Sequence, residues 1–460
     1  MNETSEFIPA VPASQPQNWT DHVIVKVAVI GVIILALMIP SLMISSLVSE
    51  RSNRKFTVTN EVSSKWGQRQ TIAGPYITIP YFQEIKVTAK EPNWVESDFS
   101  FFPRKLDLQG TMEPVIRKRS IFKVVLYQSN LIIKGHFDYP DIDALQIKPE
   151  NIEWDKATIH LGISDLSGIS QEVQIQSNYT ILHMSAATPV AINFQNGLMS
   201  RLPKTLLQKE GFDFEIVLKL KGSQGLYCVP VANNTTIALT SAWPSPKFEG
   251  QFLPDTSTIT PQGFTARWTI LDINRQISQF WKQDNPQNLS VTYVNAQYPT
   301  DAVSTNQTSL GVELIDPVDG YAKNERTVKY AFLLIAMTFI VYFFFEILKK
   351  QKIHPLQYGL VGAAIVIFFI LLLSLSEQIG FDPAYLTSSI ATIILITLYS
   401  RSIFKTKRFA TYVGGLLLLQ FGFIYTILQL EDLALLAGSI ALFLIIGLIM
   451  YLTRNVRWSE

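Results

Sequence analysis

Only one cysteine, Cys228, occurs in the 460 residues, so no disulfide can form within the chain and any folded part must be held by its own packing. A charge excess is missing too. The 38 Lys and Arg against 37 Asp and Glu leave a net charge of +1, which gives no electrostatic reason to expect a nucleic-acid partner or a strongly acidic substrate. The five histidines, His22, His136, His160, His183 and His354, lie too far apart for a local metal-ligand set, and no GxSxG elbow, HExxH, Walker loop or GxGxxG occurs. No enzyme class and no cofactor is indicated. Charged residues make up 16% of the chain and hydrophobic ones 48%, apolar for a globular protein yet too polar for one that is membrane throughout. Two compartments follow.

The apolar residues gather into runs. Residues 330–348 and 358–375 are each long enough to cross a hydrocarbon layer of ~30 Å as helices, and a basic turn with Lys349, Lys350, Lys352 and His354-Pro355 joins them. Further runs at 384–399, 409–430 and 433–452 complete a five-helix bundle over 329–452. Another run lies near the start, at 23–47, broken only by Lys26 and by Pro40, which marks a bend. It is longer than the core of a cleaved signal peptide and has no small-x-small site behind it, so it reads as an uncleaved anchor. Residues 1–22, with Pro9, Pro12 and Pro16, read as a disordered tail, and 453–460 as a short end.

Between these runs, residues 48–328 contain nothing able to span a bilayer. After a charge-rich helical stretch at 47–69, short β-branched and aromatic runs recur at 75–82, 99–102, 119–127, 131–137, 157–161, 172–175, 214–220, 235–239, 265–270 and 291–293. This predicts a mostly antiparallel β domain, with a division into two lobes left open. Residues 122–137 and 214–231 share an order of run, polar turn and run; they read as two hairpins whose likeness is coincidental.

Basic residues set the orientation. The turns after the second and fourth helices carry Lys349, Lys350 and Lys352, then Arg401, Lys405, Lys407 and Arg408, and the end carries Arg454 and Arg457. The alternate turns, 376–383 and 431–432, have none. Both termini are therefore expected in the cytoplasm and residues 48–328 outside it.

Two groups of candidate residues stand out. Trp243, Pro244, Phe248 and Phe252 belong to SAWPSPKFEGQFLP, where aromatics spaced by prolines and glycine suit either a peptide or glycan platform or a rigid packed loop. In the membrane zone, Glu346, Gln420 and Glu377 are the polar groups to weigh. Glu346 is placed to pair with Lys349 or Lys350 at helical spacing, and Gln420 to hydrogen-bond between helices.

The stretches ERSNRKFTVTNEVSSKWGQRQTIAGPYITIPY, LTSAWPSPKFEGQFLP, VKYAFLLIAMTFIVYFFFE, KIHPLQYGLVGAAIVIFFILLLSLSEQIGF and YLTRNVRW carry a resemblance that runs over residues 23–458. They resemble the CreD family of bacterial inner-membrane proteins. The resemblance implies an inner-membrane protein of Gram-negative bacteria associated with cell-envelope integrity and linked to a two-component sensor and regulator. It implies no catalytic residue. The combined expectation is six transmembrane helices with a large periplasmic, mostly antiparallel β domain inserted between helices 1 and 2. Its partners are the lipid bilayer and an envelope protein or glycan, and its role is non-enzymatic; a transporter or flippase for a lipid or amphiphile is the alternative.

Overall fold

A computed structural model describes residues 23–85, 93–177, 180–192, 194, 196–275, 277–282, 309–315, 320–349, 352–404, 406–429 and positions 436, 438, 439, 443, 447 and 450. The tail at 1–22, the strand expected at 291–293 and most of the helix expected at 433–452 lie outside them, as do Lys350, Lys405, Arg454 and Arg457. The chain divides into two compact units, Asn53–Pro317 and a second drawn from Met1–Ser52 with Val318–Glu460.

In chain order, α1 (Val23–Trp66) is followed by β1 (Gln70–Ile85), β2 (Asn93–Phe101), β3 (Lys105–Arg119), β4 (Phe122–Phe137) and the single turn α2 (Ile142–Leu145). Next come β5 (Thr158–Ile163), β6 (Gln174–Ser177), β7 (Thr180–His183), β8 (Ser185–Ala187), β9 (Gly197–Arg201), β10 (Phe212–Ser223) and β11 (Gly225–Val229). The remaining strands are β12 (Asn234–Ser241), β13 (Pro246–Gly250), β14 (Thr256–Thr260), β15 (Gly263–Leu271), β16 (Phe280–Lys282) and β17 (Leu310–Leu314). The helices α3 (Gly320–Lys329), α4 (Ala331–Lys349), α5 (Pro355–Ile379), α6 (Phe381–Phe404) and α7 (Lys407–Gln429) follow.

The strands form two sheets. One runs β13-β17-β11-β1-β5-β9-β8, with β2 on β1 and β16 on β2; the other runs β14-β15-β12-β3-β4-β10-β6-β7. Pairing is antiparallel except for β1 with β11 and β12 with β3. The longer strands of the second sheet show the period of two that one buried face requires: on β3, Leu106, Leu108 and Met112 are buried while Lys105, Gln109 and Thr111 are exposed. The inward residues of both sheets make a single cluster. Phe101 of β2 meets Phe137 of β4 edge-on at 5.9 Å, and Phe248 of β13 meets Trp268 of β15 at 5.8 Å, each pair joining one sheet to the other. The domain therefore has one core, not two lobes.

Residues 122–137 form the one strand β4, not a hairpin. Its polar centre, Gln128 to Asn130, continues the ladder against β3 and β10, whose outward residues tolerate polarity. The hairpin lies one strand earlier, where a two-residue turn with Ser120 at φ 56° connects β3 to β4. Residues 214–231 are not a hairpin either: the chain leaves one sheet after β10 and enters the other as β11, turning at Gln224 with φ 63°.

In the other unit, among the described residues, four helices are long and apolar enough to cross a membrane, α1, α5, α6 and α7; α3 and α4, bent by 42°, make a fifth if taken as one span. Residues 320–329, read from sequence as the end of the β domain, are helical and belong with this unit. α5 starts sharply: Pro355 sits at its first turn, His354 Nδ1 accepts from Leu356 N at 3.2 Å, and Gln357 Oε1 accepts from His354 N at 3.1 Å. Gly380, at φ 87°, closes it and leaves one residue before α6 begins.

Candidate functional site

Within the β unit, the 241–254 segment turns its rings inward. Trp243 is 8% exposed and donates from Nε1 to Ile315 O at 2.9 Å. Phe248 packs edge-on against Phe264 and Trp268, and Phe252 lies against the same core, its carbonyl accepting from Trp268 Nε1 at 3.2 Å. Pro244 and Leu253 are exposed. The Trp243 ring is thus committed to the core, while Phe248 and Phe252 pack against it half-buried.

The same core holds polar groups that sequence reading passed over. His160 stacks on Tyr76 at 5.0 Å, and burial pulls its imidazole down to about 4. Among the described residues, Tyr76 Oη and His160 Nδ1 meet no hydrogen-bond partner. Arg275 is 6% exposed and donates to Ala232 O, Ile277 O and Gln279 Oε1, with burial lowering its guanidinium to about 10. Nothing in the local sequence marks either residue, since a lone His or Arg in a β domain is ordinarily a surface group.

An open cleft of about 480 Å³ lies on the outer face of β3, β4 and β10. Cross-strand pairs line it: Lys134 with Glu215 at 3.1 Å, and His136 Nδ1 with Asp213 Oδ1 at 2.8 Å. Among the described residues, no three His, Cys, Asp or Glu converge on a metal position.

In the helical unit, Glu346 is buried and engaged by three donors. Only 5% exposed, its carboxylate accepts from Lys26 Nζ at 2.8 Å, Ile353 N at 3.2 Å and Tyr358 Oη at 3.0 Å. Lys26 on α1 is thus a counter-ion for Glu346 that helical spacing did not suggest; Lys350 and the Lys349 side chain lie outside what the structure describes. A buried carboxylate in apolar surroundings needs its counter-ion brought to it, and α1 supplies one from 320 positions away. The one basic residue interrupting the apolar run of α1 was the available signal. Gln420, 8% exposed on α7, accepts from Thr338 Oγ1 on α4 at 3.3 Å, an interhelical hydrogen bond. Glu377 accepts from Tyr321 Oη at 3.0 Å and so ties α5 to α3. The three polar candidates therefore belong to separate contacts and do not converge on one centre.

A set of apolar membrane-crossing helices with a buried ion pair, accompanied by a large antiparallel-sheet unit, defines a multi-pass membrane protein. The family model described as Inner membrane protein CreD matches residues 22–459. Inner membrane protein CreD of Escherichia coli (strain K12) is 31% identical over 416 residues, covering 90% of this chain and 88% of that protein. The chain belongs to the CreD family of inner-membrane proteins.

Proposed function

We propose that this protein contributes to cell-envelope integrity or the envelope stress response by binding, without catalysis, an envelope protein or glycan through its β domain. In this reading the chain crosses the inner membrane six times, both termini are cytoplasmic, and residues 48–328 stand in the periplasm between the first and second spans. The observation that carries it is the investment of Asn53–Pro317 in two large sheets around one core, on a chain otherwise devoted to membrane helices. Orientation rests on the Lys and Arg of alternate short turns. The exposed residues of the rigid 241–254 segment, Pro244 and Leu253, are the contact points to test. A photocrosslinker at each of them in the full-length protein should capture the same envelope component; capture no different from a crosslinker at exposed Lys118 would sink the reading.

The second reading, a transporter or flippase for a lipid or amphiphile, is favoured by the buried polar groups Glu346 and Gln420 inside the helical unit. It requires that Glu346→Gln abolish rescue of an envelope-stress phenotype while the protein remains folded and abundant. Full rescue removes that residue from any transport mechanism.

A further inference from the structure

Four residues apart on one face of α4, Thr338 and Tyr342 look into the same interior: Thr338 donates to Gln420 on α7, and the Tyr342 hydroxyl meets Ser400 Oγ on α6. Along α6, Ser388, Thr392, Ile396 and Ser400 repeat every four residues, each at most 4% exposed, so they form one inward row that ends at Tyr342. Helices α6 and α7 run antiparallel, with Tyr385 Oη on Phe421 O and Thr397 beside Gly414. That register brings Gln420 level with Ser388. A polar seam thus lies between three apolar helices.

The seam has more hydrogen-bonding capacity than it uses. Ser388 Oγ, on a residue with no exposed surface, and Gln420 Nε2 are buried and meet no partner among the described residues. Turning the Gln420 amide over does not help. Nε2 would then donate to Thr338 Oγ1, and Oε1 would be left bare in its place. A bare polar atom in a hydrocarbon setting is costly, and the seam holds two at about the same level. Serine needs both to give and to accept a hydrogen, and the seam's side chains carry no charge. The complementary group is an uncharged oxygen with a hydrogen and free lone pairs.

We propose that this seam is a binding seat for a hydroxyl oxygen, either water or the hydroxyl of a glycerol-type lipid headgroup, held by Gln420 and Ser388. The test uses the full-length protein with ¹⁵N-labelled glutamine side chains, reconstituted separately in phosphatidylcholine and in phosphatidylglycerol vesicles. Solid-state NMR would read magnetisation transfer to the Gln420 amide, identified by its loss in Gln420→Met. Transfer from water in both vesicles identifies water as the occupant; transfer from headgroup glycerol protons, confined to phosphatidylglycerol, identifies the lipid. Transfer from neither overturns the proposal. Thermal unfolding gives an independent reading. If the seat were bare, Gln420→Met and Ser388→Ala would remove an uncompensated polar group and raise the midpoint; an occupied seat makes both variants melt several degrees lower. A midpoint that holds or rises in both also overturns it.

Discussion

Replacing Lys26 by Met should destabilise the helical unit by far more than removal of a lysine usually does. The loss leaves the Glu346 carboxylate, 5% exposed, with Ile353 N and Tyr358 Oη as its donors among the described residues. Breaking a buried pair from one side costs about 3–5 kcal/mol. Because Lys26 retains 27% of its exposure, solvent and headgroups screen the pair, and about 2–4 kcal/mol is the working figure. Glu346→Gln should cost less, about 1–3 kcal/mol, since the freed Lys26 ammonium can swing toward the interface while the amide oxygen still accepts one of the two remaining donors. The double variant should then fall short of the sum by about 2 kcal/mol. Charge reversal, Lys26→Glu with Glu346→Lys, should restore little, because the Ile353 N–H and Tyr358 hydroxyl would face an ammonium instead of an acceptor. The assay is unfolding of the purified protein in mixed micelles as the fraction of dodecyl sulfate rises, followed by helical circular dichroism. Single-variant losses that add to within about 0.5 kcal/mol would refute the contact, and with it the assignment of α1 to this bundle.

Three further outcomes follow from the β unit. His160, held near 4 by burial against an ordinary 6.5, stays neutral in the fold while the unfolded chain takes up a proton. Stability should be level above pH 6.5 and fall by about 3 kcal/mol as pH drops toward 4, and His160→Gln should flatten that part of a urea-midpoint profile. Gly135→Ala adds a methyl against the Lys105 carbonyl and the Phe214 ring, so the β unit should lose about 1–3 kcal/mol, read from the same urea midpoint. Trp243→Phe keeps the buried ring but leaves Ile315 O without its donor; a loss of about 1–2 kcal/mol with unchanged crosslinking at Pro244 is expected, and a loss of crosslinking would give the indole a direct role.

Hydrophobicity read locally was enough for the membrane class. The apolar runs at 358–375 and 384–399 sit inside α5 and α6, and 409–430 up to residue 429 inside α7, because a span needs only length and apolar content, properties of consecutive residues. Strand segments such as 265–270 within β15 were likewise visible in their β-branched composition. By contrast β3 was missed, since its inward Leu106, Leu108 and Met112 are separated by polar residues and a glycine, and the 122–137 stretch was misread because a polar middle looks like a turn until the neighbours on both sides are known.

What the sequence by itself determined is the kind of chain this is: helices meant for lipid, a long disulfide-free β segment and the family to which both belong. Only tertiary structure decided the partners. Glu346 draws a cation from α1, 320 positions away; Trp243, in a segment with the composition of a binding platform, gives its ring to the core; Gln420 of α7 bonds Thr338 of α4. Each outcome depends on free energies of burial and desolvation that are fixed by residues distant in the chain, and local composition cannot contain them.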